Sequence, residues 1–96
     1  MKQAESRLST AILRALRAQG IFCFKVHGGA MMMAGLPDII ACVDGKFVGL
    51  ETKMPDKRSN VSPRQTYVHQ KILESGGEVY VVTSVQEALD AARKHA

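Results

Sequence analysis

The residues of this sequence that are best suited to chemistry are two carboxylates and a lysine: Asp38, Glu51 and Lys53. Carboxylate oxygens without accompanying His or Cys ligands suit hard cations such as Mg²⁺ or Mn²⁺, which keep several water molecules. Such a cation can orient and acidify a water and stabilise charge on a phosphate, and a nearby lysine can position that water. If the fold brings these side chains together, they are equipped to hydrolyse a phosphodiester.

A tight turn is expected to bring the two carboxylates together. Asp44 and Gly45 separate two apolar runs and are a strong signal for a two-residue β-hairpin. With these residues at the centre of the turn, Asp38 lies opposite Glu51, and directly opposed Cβ atoms are about 4.5 to 5.5 Å apart. Because like charges repel at this distance, a cation is expected between them. Alternation of side chains along the strand puts Lys53 on the same face as Glu51.

The first predicted helix supplies a further carboxylate. Leu8, Ile12 and Leu16 recur at helical spacing and form the apolar stripe of a helix over about residues 2–19. At about 100° per residue, Glu5 projects within roughly 60° of this stripe. Taken alone, this position fits a solvated acid at a helix end better than a group aimed at a buried site.

The rest of the chain predicts an α/β fold in which a mixed central sheet is flanked by helices, with element order αβββαβα. Runs of β-branched and aromatic residues predict strands over residues 21–26, 39–43, 47–52 and 79–82. Two capping boxes predict the later helices. Ser62 with Gln65 opens a helix that stops at Gly76, and Ser84 with Glu87 opens the last one.

The bulk composition places these elements in one globular domain, residues 1–96. A chain of 96 residues is too short for two hydrophobic cores, and 46% hydrophobic with 23% charged residues is ordinary for a folded protein. The net charge of +4 attracts polyanions without specificity. No apolar run approaches the ~18 residues of a membrane span, so no membrane association is expected. The polar stretch 55–60 is expected to be a loop.

The two cysteines, Cys23 and Cys42, are expected to be buried free thiols. Each lies in an apolar, β-branched stretch, and they lack the close spacing of a metal or redox pair. Free thiols suit a reducing, cytoplasmic compartment.

Two short segments resemble the signature of the PD-(D/E)xK nuclease superfamily. Residues 35–38 read GLPD and residues 51–53 read ETK, so both halves of the motif are present. Downstream, Pro55, Arg58 and Gln65 resemble the VRR-NUC branch, whose pattern runs from the lysine through a proline and an arginine to a helical glutamine. The resemblance covers most of the chain and implies a restriction-endonuclease-like core, which agrees with the element order.

The resemblance also implies a role for each residue of the site. It implies that a metal is held by four residues: Glu5, Asp38, Glu51 and Thr52, the last through its carbonyl. The catalytic set is then Asp38, Glu51, Lys53, which activates or positions the attacking water, and Gln65, which orients neighbouring groups. Gln65 has an equally good alternative role, because it completes a capping box with Ser62 without any active site.

Four further residues are candidates for contact with nucleic acid. Lys57, Arg58 and Arg64 flank the expected site, although basic loops are more often simply solvated. No histidine has the spacing of a metal ligand, and His27 is the one expected near the site, before a glycine-rich loop. The run of methionines at 31–33 fits a mobile contact loop or core filling.

By resemblance, the protein is expected to be a Mg²⁺- or Mn²⁺-dependent endonuclease that cuts DNA and leaves a 5′-phosphate. Stand-alone members of the family, viral or bacterial, resemble dimeric Holliday-junction resolvases. We therefore expect a homodimer that acts on branched or duplex DNA, such as four-way junctions or flaps. The expected location is the cytoplasm of a bacterial cell or of a phage-infected host.

Two alternatives stay open from the sequence. A non-catalytic nucleic-acid-binding module with a structural metal explains the positive charge equally well, but not a lysine placed beside two carboxylates. An RNA-directed nuclease would use the same chemistry. The small number of aromatic residues, three Phe and two Tyr, disfavours a protein that reads single strands by stacking.

Overall fold

A computed structural model describes residues 3–93, in which eight elements follow one another along the chain. They are α1 (Gln3–Ala18), β1 (Phe22–Lys25), β2 (Ile39–Val43), β3 (Lys46–Thr52), the 3₁₀ turn η1 (Pro55–Lys57), α2 (Pro63–Glu74), β4 (Glu78–Val82) and α3 (Val85–Arg93). The predicted αβββαβα order is confirmed. The expected start of the first helix at Lys2 lies outside the described residues, and the expected loop at 55–60 contains one 3₁₀ turn.

The four strands form one mixed sheet in the order β1-β2-β3-β4. The first three strands are antiparallel neighbours, and β4 lies parallel to β3. Asp44 and Gly45 have φ angles of 51° and 79°, as a tight hairpin turn with two left-handed residues requires. Ile39 pairs with Leu50, which is the register that the turn predicts. The hairpin prediction is therefore confirmed along the whole length of β2.

The main hydrophobic core lies between the sheet and the pair of helices α1 and α3. Ile12 and Leu16 from α1 pack there with Leu50 from β3 and Val82 from β4, and all four are at most 2% exposed. Helix α3 approaches the sheet closely because its core-facing side chains are small: Ala88, Ala91 and Ala92. Burial of this apolar surface is the main force that holds α1 against the sheet.

Helix α2 packs on the opposite face of the sheet, against β4 and the end of β3. Its start is fixed by the predicted capping box: Ser62 Oγ accepts the N–H of Gln65 at 3.1 Å, and Gln65 Oε1 accepts the N–H of Ser62 at 2.9 Å. The second predicted box is only half formed. Ser84 Oγ accepts the N–H of Glu87, but the Glu87 carboxylate turns to the N–H of Thr83.

The expectation that both cysteines are buried is wrong for Cys42. Cys23 faces α1 and is buried, whereas Cys42 is exposed. Cys42 points to the face of the sheet that α2 leaves open, between Phe22 on β1 and Phe47 on β3, which are themselves exposed. The two thiols lie on opposite faces of the sheet, so they stay free as expected.

Within residues 3–93, no helix combines the length and the apolar composition that crossing a membrane requires.

Gly49 makes a contact that positions the residue before Asp38. A Cβ atom added at Gly49 would lie 2.6 Å from Cγ of Pro37, so only glycine lets the proline ring rest on β3 at this point. We expect Gly49→Ala to lower the free energy of unfolding by about 1–3 kcal/mol, because the ring must shift. Urea unfolding measures this change. Gly28→Ala is the matched control, because nothing lies within 4 Å of its added Cβ, and equal losses in the two variants would contradict this account.

Candidate active site

The candidate site forms where β3 runs on beyond the end of β2. Pairing between β2 and β3 stops at Ile39 and Leu50, whereas pairing between β3 and β4 continues to Thr52 and Val82. The N–H of Lys53 then donates to Val82 O at 3.0 Å. The last residues of β3 therefore have a strand on one edge only. Backbone groups of Thr52 on the other edge need a different partner.

Asp38, the residue before β2, supplies that partner. Its Oδ2 accepts the Thr52 N–H at 2.8 Å and the Thr52 hydroxyl at 2.7 Å. Both bonds end on the same oxygen, so Oδ1 receives neither of them. Because the N–H and C=O of a strand residue point to the same edge, the Thr52 carbonyl also faces this side. The Thr52 carbonyl thus faces the open edge of β3, and Asp38 keeps one oxygen that Thr52 does not bind.

A buried hydroxyl pair ties this edge to α1. Ser9 Oγ lies 3.1 Å from Thr52 Oγ1, and both residues are at most 1% exposed. The Thr52 hydroxyl has one hydrogen and gives it to Asp38, so Ser9 must donate to Thr52. Helix α1 therefore fixes the Thr52 rotamer, and Thr52 fixes the Asp38 carboxylate.

Glu51 lies on the other face of β3 from Thr52, under α2. It is 2% exposed, and its Oε2 accepts a hydrogen bond from Nε2 of Gln65 at 3.1 Å. Its Oε1 lies 3.5 Å from Nε2 of His69. Among the described residues, Glu51 Oε1 and His69 Nε2 are the buried side-chain oxygen and nitrogen atoms that lack a hydrogen bond.

The electrostatics of Glu51 show that the acidic groups share one site. Burial, then the neighbouring Asp38 carboxyl and, to a smaller extent, the charge of Glu5 together raise the pKa of Glu51 to about 8. The positive charge of Lys53 acts against this shift. Burial and the charge of Lys53 lower the pKa of His69. The ammonium of Lys53 therefore acts on the same site, as the register predicts.

Gln65 combines the two roles that the sequence left open. Its amide oxygen accepts from the backbone of Ser62 and closes the cap of α2, while its amide nitrogen donates to Glu51. One side chain thus holds the start of the helix and one carboxylate of the site. Capping and a functional contact are not alternatives here.

Two residues of the site were missed from the sequence, Ser9 and His69. Each lies four residues after a site residue on the same helix, Ser9 after Glu5 and His69 after Gln65, and this spacing puts them on one helical face. That spacing was the available signal. The expectation that His27 is the only histidine near the site is wrong, because His69 faces Glu51. His27 is exposed and lines a surface cavity with Ser9 beside α1, and its contact with nucleic acid stays a prediction.

The basic residues that were expected to contact nucleic acid have different surroundings. Arg58 donates to Val81 O at 3.3 Å and to Thr83 Oγ1 at 3.0 Å, and it forms an ion pair with Glu87. These bonds attach the segment after Lys53 to the junction of β4 and α3. Contact of Arg58 with phosphate stays a prediction, and its guanidinium already has an internal structural use.

Arg64 and Lys57 lie on the surface near the start of α2. Arg64 donates to Ala34 O at 3.3 Å, and its guanidinium carbon lies 5.3 Å from the centre of the Tyr67 ring. Lys57 is exposed at the end of η1. Both are exposed, and contact of either one with nucleic acid stays a prediction.

The donor set fits a hard divalent cation that keeps most of its water ligands. Within residues 3–93, no three His, Cys, Asp or Glu side chains are close enough to hold one ion, so Glu5 acts on the site through its charge and is not gathered as a third ligand. Asp38, Glu51 and the Thr52 carbonyl still offer oxygen ligands, and Mg²⁺ is commonly bound by one or two carboxylates plus water. The unpaired Oε1 and the raised pKa of Glu51 are features that a bound cation would relieve.

Comparison with solved structures identifies the fold class. The chain matches a structure named "VRR_NUC domain" over 95% of both chains, with a TM-score of 0.68 and 24% sequence identity. At this level of identity the likeness establishes the fold. The protein is thus an α/β domain with the fold of a VRR_NUC domain, as the sequence resemblance implies. No family model matches the chain, and the comparison with curated proteins found no match.

The raised pKa of Glu51 predicts a pH-dependent loss of stability without metal. Glu51 has a pKa of about 8 in the native state, against 4.5 for an ordinary glutamate. Its burial therefore costs no stability below pH 4.5, and the free energy of unfolding falls as the pH rises from 4.5 towards 8. Glu51→Gln abolishes this loss, and we expect it to raise the free energy of unfolding at pH 7 by about 3 kcal/mol.

Urea unfolding in EDTA between pH 5 and pH 8 measures this effect. Glu74→Gln is the control, because Glu74 is an exposed carboxylate on α2. Parallel pH profiles for Glu51→Gln and the unaltered protein would show that Glu51 titrates normally.

Proposed function

We propose that this protein is a metal-dependent nuclease of the VRR-NUC family that hydrolyses phosphodiester bonds in DNA. The observation that carries the proposal is the approach of Asp38 to the buried Glu51 beside Lys53, at the end of β3. Holding two acids together in this way destabilises a protein unless they bind something positive. The VRR_NUC domain fold supports the same conclusion.

In this proposal, the metal is Mg²⁺ or Mn²⁺ and is held by Asp38, Glu51 and the Thr52 carbonyl. When bound, the ion acidifies a water molecule and offsets negative charge on the phosphate. Asp38 presents Oδ1 because Thr52 fixes Oδ2. Glu51 presents its carboxylate from below α2, held by Gln65. Glu5 adds negative charge that strengthens binding of a cation.

In this proposal, Lys53 positions the attacking water and the scissile phosphate. Its backbone is fixed by Val82, and its side chain is only partly exposed, so the ammonium stays near the two carboxylates. A positioned cation that meets developing negative charge stabilises the transition state more than the ground state. The exposed Lys57 and Arg64 are suited to contact the neighbouring phosphates of a strand.

A homodimer is the expected working form, because one small site cuts one strand per encounter. Two cuts in a duplex or junction need two sites, and closed two-fold symmetry is the commonest way to supply them. Light scattering at micromolar concentration should give twice the mass of the chain. A monomeric mass together with undiminished paired cleavage would contradict the dimer.

The two free cysteines fit a reducing compartment. We therefore expect the nuclease to act in the cytoplasm of a bacterial cell or of a phage-infected host. Cys42, which is exposed, would otherwise be open to oxidation.

The test is cleavage of labelled four-way junction, flap and linear duplex DNA with Mn²⁺ or Mg²⁺, with an EDTA control. Lys53→Ala is expected to lower the cleavage rate by at least about 100-fold, as loss of a group that acts on the reacting water does. Lys46→Ala is the matched control, because Lys46 is an exposed lysine at the start of the same strand.

The outcomes separate the proposal from its alternatives. Metal-dependent cutting that Lys53→Ala abolishes and Lys46→Ala preserves supports the nuclease and ranks its substrates. Binding of DNA without cutting under either metal would indicate a non-catalytic binding module. Cutting of matched RNA in preference to DNA would indicate an RNA-directed nuclease.

A further inference from the structure

Helix α2 brings a second polar group to Glu51 besides Gln65. His69 lies one helical turn after Gln65 and faces the same carboxylate. Gln65 donates to Oε2 at 3.1 Å, and Nε2 of His69 lies 3.5 Å from Oε1. Each oxygen of Glu51 therefore has its own nitrogen from α2.

The two facing atoms have no other use within the described residues. Glu51 Oε1 and His69 Nε2 are both buried and lack a hydrogen bond, and the His69 side chain is 13% exposed. Leaving a buried donor or acceptor unpaired destabilises the native state. Two such atoms that face each other can satisfy each other, and their distance exceeds the usual 2.7–3.2 Å by only a few tenths of an ångström.

The chemistry of the pair fixes the direction of the bond. An ionised carboxylate, which is the form of Glu51 that binds metal, can only accept, whereas Nε2 carries a hydrogen in one neutral tautomer and in the protonated ring. Contact with the lone pair of the other tautomer would be repulsive. With Glu51 ionised, the geometry therefore requires a hydrogen on Nε2.

We infer that His69 is a positioning residue that donates from Nε2 to Glu51 and, together with Gln65, holds that carboxylate in the orientation needed to bind metal. This inference rests on the proposed nuclease function, but His69 itself touches neither metal nor substrate. With one donor on each oxygen, Glu51 keeps its remaining lone pairs for the cation. Groups that orient a metal ligand in this way typically change metal affinity by roughly 10- to 100-fold when they are removed.

The first measurement uses the metal-free protein at a pH well above the Glu51 pKa of about 8, where Glu51 is ionised, and needs no activity. Long-range ¹H–¹⁵N spectra of the imidazole rings report which nitrogen of His69 carries the hydrogen. We expect Nε2 to be protonated. An unprotonated Nε2 would overturn the inference whether or not the protein binds metal or cuts DNA.

The second measurement is the affinity for Mn²⁺, followed by titration calorimetry. His69→Ala and His69→Asn remove a donor at the Nε2 position and should weaken binding by roughly 10- to 100-fold. His69→Gln places an amide nitrogen near the Nε2 position and should largely restore binding. Gln70→Ala is the control, because Gln70 is the exposed neighbour of His69 on α2.

Several results would contradict this role. Unchanged Mn²⁺ affinity in His69→Ala and His69→Asn, or an equal loss in His69→Gln, would show that the donor is irrelevant. A nitrogen coupling to Mn²⁺ in pulsed electron paramagnetic resonance that disappears in His69→Gln would make His69 a direct ligand. Mn²⁺ binding that depends on His69 in a protein that cuts no nucleic acid would refute the nuclease and leave the positioning role intact.

Discussion

The repulsion between Asp38 and Glu51 is the constraint on which the rest of this structure depends. Both acids lie at the end of β3, and burial together with the charge of Asp38 raises the pKa of Glu51 to about 8. A fold selected only for stability would place apolar or neutral groups here, because buried like charges destabilise the native state. The arrangement makes physical sense as a binding site for a cation. While that cation is absent, the raised pKa lets Glu51 hold a proton near neutral pH, and the fold must keep both acids in place.

Each helical layer holds one of the two acids. From one face of the sheet, Ser9 on α1 fixes Thr52, and Thr52 fixes Asp38 through two hydrogen bonds to a single oxygen. From the other face, Gln65 on α2 holds Glu51. The site therefore exists only where both helices dock on β3. Its hydrogen bonds are long-range in sequence, so the chain assembles it only when the complete fold has formed.

The parts of the site that follow from local chemistry were predictable, and those that depend on helix docking were not. The turn at Asp44 and Gly45 fixes the hairpin register by its own backbone geometry, so the approach of the two acids could be read from the sequence. The cap at Gln65 is equally local. The contact of His69 depends on how α2 is rotated on the sheet. The exposure of Cys42 depends on how much of that face α2 covers, which spacing along the chain does not reveal.

The central claim is that Asp38 and Glu51 come together to hold a divalent cation. A crystal structure of the protein grown with Mn²⁺, with anomalous diffraction data collected near the manganese absorption edge, tests this claim most directly. The account predicts an anomalous peak at the end of β3, in contact with Asp38 Oδ1, a Glu51 oxygen and the Thr52 carbonyl. Saturating Mn²⁺ with no peak at this position, or with a peak that contacts neither carboxylate, would contradict it.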